Sequence, residues 1–260
     1  MELDLAGRKA LVTGASKGIG RAVARALAAE GCDLVLVART AADLDEARNE
    51  IRAFRNVAVT TVPLDLSVGD AARGLARDFP DIDILVNNAG AIPGGNLEEI
   101  DEPRWRAAWD LKVFGYINLC RAYVTLMRGR RRGVVVNIIG AAGERMDAAY
   151  IAGSTGNAAL MAFTRALGGA APEWGLRVVG INPGPVATDR LVTLLKKRAQ
   201  DRLGDAGRWQ ELTKSMPFGR PGTPEEIAAM AVFLASDRSG YTSGTIITID
   251  GGIANRGAAM

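Results

Sequence analysis

The chain has 260 residues, 48% of them hydrophobic, and its 32 Lys+Arg against 29 Asp+Glu leave a net charge of +3. That length suits one large α/β domain or two small ones, with ample apolar content for a buried core, and so even a charge balance gives no electrostatic case for nucleic acid. Histidine is absent, which removes the commonest general base and metal ligand and leaves Tyr, Lys, Asp or Glu for proton transfer.

In chain order, an apolar strand from Ala10 to Val12 runs into Gly14-x3-Gly18-x-Gly20, and a helix starts near Gly18 with Ile19, Val23, Ala26 and Leu27 on one face. Gly14 permits a sharp turn, Gly18 lets the backbone approach a ligand, and Gly20 lets the helix lie close on the sheet. The first N–H groups of that helix form a site for a pyrophosphate. A tight turn without a ligand accounts for the glycines alone equally well.

Asp33 to Ala38 is a second strand, and Thr40 caps a helix reaching about Phe54. Val57 to Leu64 is a third strand, ending in Asp65-Leu66-Ser67, and Val68 to Phe79 is helical. Ile82 to Val86 is a fourth strand, followed by Asn87-Asn88-Ala89-Gly90. Asp101, with Pro103 in the first turn, opens a long helix to about Arg128. Val134 to Ile138 is a fifth strand, Tyr150 to about Ala171 a helix rich in small residues, and Arg177 to Asn182 a sixth strand stopped by Pro183-Gly184-Pro185. A charged, helical segment runs from Thr188 to Pro217. Thr223-Pro224-Glu225-Glu226 reads as a capping box on a helix ending near Ala235, and Thr245 to Ile249 is a seventh strand.

Continuous apolar strands alternating with helices predict one doubly wound α/β (Rossmann) domain over 1–260, with a seven-stranded parallel sheet covered on both faces. Cys32 and Cys120 lie in apolar elements without metal spacing and read as buried free thiols, so no metal site is expected. MELDLAGRK does not read as a signal peptide and the longest apolar run, Val134 to Gly143, is too short to span a bilayer. The expectation is a cytoplasmic protein with no membrane partner. The basic run Arg128 to Arg132 reads as a surface loop at a helix C-terminus.

Thr13-Gly14-x3-Gly18-Ile19-Gly20, Asp65, Asn87-Asn88-Ala89-Gly90, Tyr150, Pro183-Gly184 and Asp250-Gly251-Gly252 occur together in that order. The chain resembles the short-chain dehydrogenase/reductase family from about Leu5 to Gly252, and within it the bacterial 3-oxoacyl reductases. The resemblance implies a nicotinamide dinucleotide. Gly14, Ser16, Lys17, Gly18 and Ile19 would hold the pyrophosphate and adenosine ribose, and Asp65 and Leu66 would meet the adenine. Asn88, Ala89 and Gly90 would line the path to the nicotinamide ribose beside Tyr150. Pro183 and Gly184 shape the same loop, and Val186 and Thr188 would touch the carboxamide. Asn87 reads as a brace between strands. The segment 188–217 resembles the family's substrate lid, and the two long helices resemble those that pair subunits into dimers or tetramers.

The second strand ends Val37-Ala38-Arg39 without the carboxylate that would accept from a ribose diol. The Arg39 guanidinium, with Lys17 beside it, suits a 2′-phosphate, so NADP(H) is favoured over NAD.

The family's catalytic set is Asn, Ser, Tyr and Lys. Here Tyr150 is kept, while Lys112, Gly140 and Ser154 stand at the Asn, Ser and Lys positions. A free tyrosine has a pKa of about 10, and a nearby cation lowers it by roughly 1–3 units. Because the family's Asn and Lys positions are neighbours, a Lys112 ammonium would stand near the missing one, relocating the charge. Three readings follow: an oxidoreductase moving hydride between NADPH and a carbonyl or alcohol, a dinucleotide-binding sensor or scaffold with little turnover, and non-redox lyase or isomerase chemistry.

Overall fold

Strands β1 (Lys9–Thr13), β2 (Asp33–Ala38), β3 (Val59–Pro63), β4 (Ile84–Asn87), β5 (Gly133–Ile138), β6 (Leu176–Pro183) and β7 (Ile246–Ile249) lie in one parallel sheet in the order β3-β2-β1-β4-β5-β6-β7. The computed structural model describes residues 2–256, so both ends of the expected 1–260 domain lie outside the described residues. Ala10 and Val12 of β1 point into one core while Leu11 between them points into the other. Both faces are covered, which is why the strands read as unbroken apolar runs. Fully burying one such side chain contributes roughly 1.5–3 kcal/mol.

Helices α1 (Gly18–Ala29), α2 (Ala41–Phe54) and α8 (Pro224–Ala235) cover the first face. Helices α3 (Ala71–Asp78) and α5 (Gly115–Arg130) cover the second, and α6 (Ile151–Ala170) packs beside them. The capping box on α8 is complete: Thr223 accepts from the Glu226 N–H while Glu226 accepts from the Thr223 N–H. Asn87 donates to Asn137 at 2.9 Å, and Asn137 donates to Thr164 at 2.9 Å, so a buried amide chain ties β4 and β5 to α6. Cys32 and Cys120 are buried free thiols, each pushed up to about 12 by desolvation.

The long helix expected from Asp101 to Arg128 is not continuous. Helix α4 (Glu102–Trp109), capped by Asp101, passes through a π-helical turn at Asp110–Phe114 before α5 begins. The widened turn brings both Lys112 and Val113 inward, and both are buried. Arg128 stacks over Trp174 and Arg130 donates to the carbonyls of Pro80 and Ile82, so part of the basic run is bound to the fold rather than free in a loop. The charged segment after Thr188 forms α7 (Asp189–Leu203) and short 3-10 turns at Ala206–Thr213 and Pro217–Gly219.

Candidate active site

The strand order reverses between β1 and β4, and the crevice outside their carboxyl ends is where doubly wound sheets bind ligands. A cavity of about 510 Å³ opens there. Gly14 (φ +63°) and Gly18 (φ +54°) both take the left-handed backbone that L side chains avoid. A Cβ on Gly20 would stand 2.2 Å from the Gly14 carbonyl oxygen, so α1 can approach its own turn only through a bare backbone. Thr13 pins the facing loop: its hydroxyl accepts from the N–H groups of Asn88 (2.9 Å) and Ala89 (3.0 Å). The Asn88 amide returns the contact, donating to the Thr13 carbonyl at 3.0 Å.

The start of α1 fits an anion. No side chain caps it and no acid lies in its first turn; α2, α3 and α6 also lack a side-chain cap, but the first residues of α1, Gly18 and Ile19, line the cavity. Its N–H groups therefore face the crevice for a pyrophosphate to accept from. Gly14, Lys17, Gly18 and Ile19 line the cavity, as do Asn88, Ala89, Gly90, Pro183, Gly184, Val186 and Thr188. Ser16, Arg39, Asp65 and Leu66 lie outside that lining: Leu66 is buried in the second core, and Arg39 and Asp65 are exposed. The Asp65 carboxylate accepts from the Ser67 N–H and hydroxyl, which hold it below the usual carboxylate range, with Arg39 adding to that effect. Lys17 pairs with Asp43 at 3.0 Å.

The catalytic end of the cavity is built by three elements. From the widened turn Lys112 donates to the Ile139 carbonyl at 2.6 Å, and from the first turn of α5 Tyr116 donates to the Ile138 carbonyl at 2.8 Å. Residues 112 and 116 thus grip two successive carbonyls, that of the last residue of β5 and that of the residue after it. Gly90 leaves room for the Lys112 stem, since a Cβ there would come 2.8 Å from its Cδ. Burial, with Arg190 adding like-charge repulsion, brings the Lys112 ammonium down to about 7.

Tyr150 sits at the N-cap of α6, its ring folded over Gly153 and packed near Ile92 and Ala152. Its hydroxyl accepts from the Arg190 guanidinium at 3.0 Å. Arg190, in the first turn of α7, also donates to the Ile92 carbonyl at 2.7 Å. The Ser154 hydroxyl accepts from the Asp147 N–H at 3.0 Å and so holds the loop before the helix. Sequence reasoning missed Arg190. The signal was present: a cation in a helix's first turn opposes the dipole, and such a local misfit marks a tertiary or functional role.

A family model described as enoyl-(acyl carrier protein) reductase matches residues 14–254. The chain belongs to the short-chain dehydrogenase/reductase family. It is 37% identical over 253 residues to galactitol 2-dehydrogenase (L-tagatose-forming) of Cereibacter sphaeroides, covering 95% of each chain. It is 31% identical over 254 residues to the 3-oxoacyl-(acyl-carrier-protein) reductase of Chlamydia muridarum, covering 96% of this chain and 98% of that protein. The crystal structure of L-sorbose reductase from Gluconobacter frateurii, complexed with NADPH and L-sorbose, superposes with a TM-score of 0.90 at 31% identity, covering 98% of this chain and all of that one. Family membership agrees with the fold and with the glycine turn at the switch point. Among the described residues no helix is long and apolar enough to cross a membrane, and no group of three or more acidic or Cys side chains could hold a metal ion.

Proposed function

We propose that this member of the family is an NADP(H)-dependent oxidoreductase acting on a small carbonyl or alcohol. The observation that carries the reading is one continuous cavity running from the uncapped start of α1 to Tyr150. Arg39, which stands directly after β2 where a diol-binding carboxylate would otherwise be expected, supports a 2′-phosphate on the ribose. The relative crystallised with NADPH and the relative that forms L-tagatose support the same cofactor and a polyol or ketose substrate.

Bound NADPH supplies a hydride to the carbonyl carbon. The residues of this chain do the rest. The amides at the start of α1 and Lys17 hold phosphates, and the loop from Asn88 to Gly90 with Val186 and Thr188 positions the reacting ring. Tyr150 donates its proton to the carbonyl oxygen as the C–O double bond opens, and later regains one from solvent. The Arg190 guanidinium stands against the phenol oxygen on which negative charge develops, the task an ammonium from position 154 would otherwise perform. Lys112, whose ammonium is brought down to about 7 by burial, is a second basic group lining the cavity and grips the residue after β5. Helix α7 and the turns to 217 act as the lid: Arg190, Leu191 and Leu194 line the cavity from that side.

The groove lined by Leu97, Trp105, Trp109 and Phe114 leaves apolar surface on α4 and the π turn. It supports self-association through the long helices, which light scattering tests. For the activity, thermal shift with NADPH against NADH reads cofactor binding. Oxidation of NADPH with L-sorbose, galactitol with NADP+, and a 3-oxoacyl thioester read turnover, with Tyr150→Phe as control. Turnover abolished by Tyr150→Phe with NADPH binding kept is the expected result. NADPH binding with no Tyr150-dependent turnover would favour the sensor reading, for which Ser154 in place of a catalytic ammonium is the supporting observation.

A further inference from the structure

The basic run that ends α5 meets a second cavity, of about 630 Å³. Gly133 and Leu176, the first residues of β5 and β6, stand in its wall, so it lies at the end of the sheet opposite the catalytic crevice. It shares no lining residue with the cofactor cavity. Arg8, Arg131, Arg132 and Arg177 line it, and Asp237 is the one acid in that lining among the described residues. Arg177 donates to the carbonyls of Leu234 (2.7 Å) and Ser236 (2.8 Å) and so closes the end of α8. Arg8, its side chain 11% exposed, pairs with Asp237. Burial holds Arg177 below the usual arginine range; Asp237 opposes that shift and Arg8 adds to it, so two guanidiniums repel across one shared acid.

Arg131 and Arg132 form the open side, and both are exposed. The Arg131 side chain makes no hydrogen bond or ion pair with any described residue, and that of Arg132 reaches only Asp83, at 3.6 Å. Arg131 also holds a left-handed backbone, φ +51° and ψ +34°, at the C-cap of α5. Glycine takes that conformation freely, whereas an L side chain takes it at a cost in strain. Gly175 makes room for it, since a Cβ there would stand 2.6 Å from the Arg131 carbonyl oxygen. Ending the helix on arginine rather than glycine keeps a charged arm at the cavity mouth against local preference, and such a conflict points to function. Even with Asp83 counted, and about half a negative charge for each of the ends of α5 and α8, the four cations exceed the negative charge by about one unit. An anion fits this cavity.

We propose that this cavity binds a phosphate group, free or carried on a small ester, with the Arg131 and Arg132 guanidiniums donating to its oxygens over the charged wall of Arg8 and Arg177. A planar guanidinium matches two phosphate oxygens at once, which an ammonium cannot do. The site is separate from the cofactor cavity and stands independently of the oxidoreductase reading.

The test is calorimetric titration of full-length protein at fixed ionic strength, with NADP+ in excess so that the start of α1 is filled. Inorganic phosphate and phenyl phosphate, an ester with no hydroxyl for the substrate cavity, are the two probes. Wild type should bind at least one of them saturably, and the tighter of the two tells a free from an esterified source. Arg131→Gln combined with Arg132→Gln should weaken that binding by about tenfold or more, the effect of a lost charge-assisted contact, and leave NADP+ affinity unchanged. Arg131→Gly relieves the left-handed strain, so it should melt roughly 2–4 °C above wild type while losing phosphate affinity, a combination that misfolding cannot produce. No saturable binding of either probe by wild type, or undiminished binding in both variants, overturns the proposal.

Discussion

The guanidinium of Arg190 donates to the hydroxyl of Tyr150 at 3.0 Å. The two residues come from different helices and are 40 positions apart. The contact gives the phenol a cationic neighbour although position 154 is a serine. Arg190 is also anchored to the Ile92 carbonyl at 2.7 Å, so its charge is held in place. Arg190→Gln keeps much of the side chain's length and removes the charge. A charge-assisted hydrogen bond contributes about 1.5–3 kcal/mol, so kcat should fall by roughly 10–100-fold. Arg190→Lys should recover part of the loss, and NADPH titration should show an unchanged affinity. Steady-state kinetics with unaltered kcat in Arg190→Gln would remove Arg190 from the mechanism.

Lys112 predicts a pH-dependent stability. Its ammonium titrates at about 7 in the folded chain against an ordinary 10.5. Between those values the unfolded chain binds the extra proton, so stability rises with pH across that window. The penalty is fully present below pH 7 and is relieved as pH approaches 10.5. Lys112→Met loses the hydrogen bond to Ile139 at every pH, which shifts the whole curve but not its slope. The melting temperature of wild type relative to Lys112→Met should therefore climb by several degrees from pH 6.5 to 10. A pH-independent difference would show that the charge is not buried as described.

Arg39 should set the choice of cofactor. Arg39→Ala removes the fork expected to meet the 2′-phosphate and leaves the glycine turn intact. NADPH affinity should drop by about 10–100-fold, the worth of a charge-assisted contact, with NADH affinity nearly constant. Titration of both cofactors by intrinsic fluorescence measures the ratio. Equal losses for the two would overturn the assignment.

Gly153 should be required by Tyr150 rather than by its own helix. A Cβ there would stand 2.0 Å from Cε1 and Cζ of the Tyr150 ring. Alanine is otherwise preferred in a helix over glycine by about 1 kcal/mol. Gly153→Ala should therefore fold, melt within a few degrees of wild type, and lose turnover because the phenol is displaced. Turnover at the wild-type level would mean that the ring position does not matter to the chemistry.

The sequence by itself determined the sheet, the glycine turn and the place of the crevice. These depend on local properties: unbroken apolar runs require burial on both faces, and left-handed turns require glycine at Gly14 and Gly18. Only the tertiary structure decided which side chains share the catalytic end. The π turn that carries Lys112 inward and the reach of Arg190 from α7 to Tyr150 both depend on how distant elements stack. Hydrophobic periodicity fixes which face of a helix is buried, but not which polar group on a second helix will meet it there.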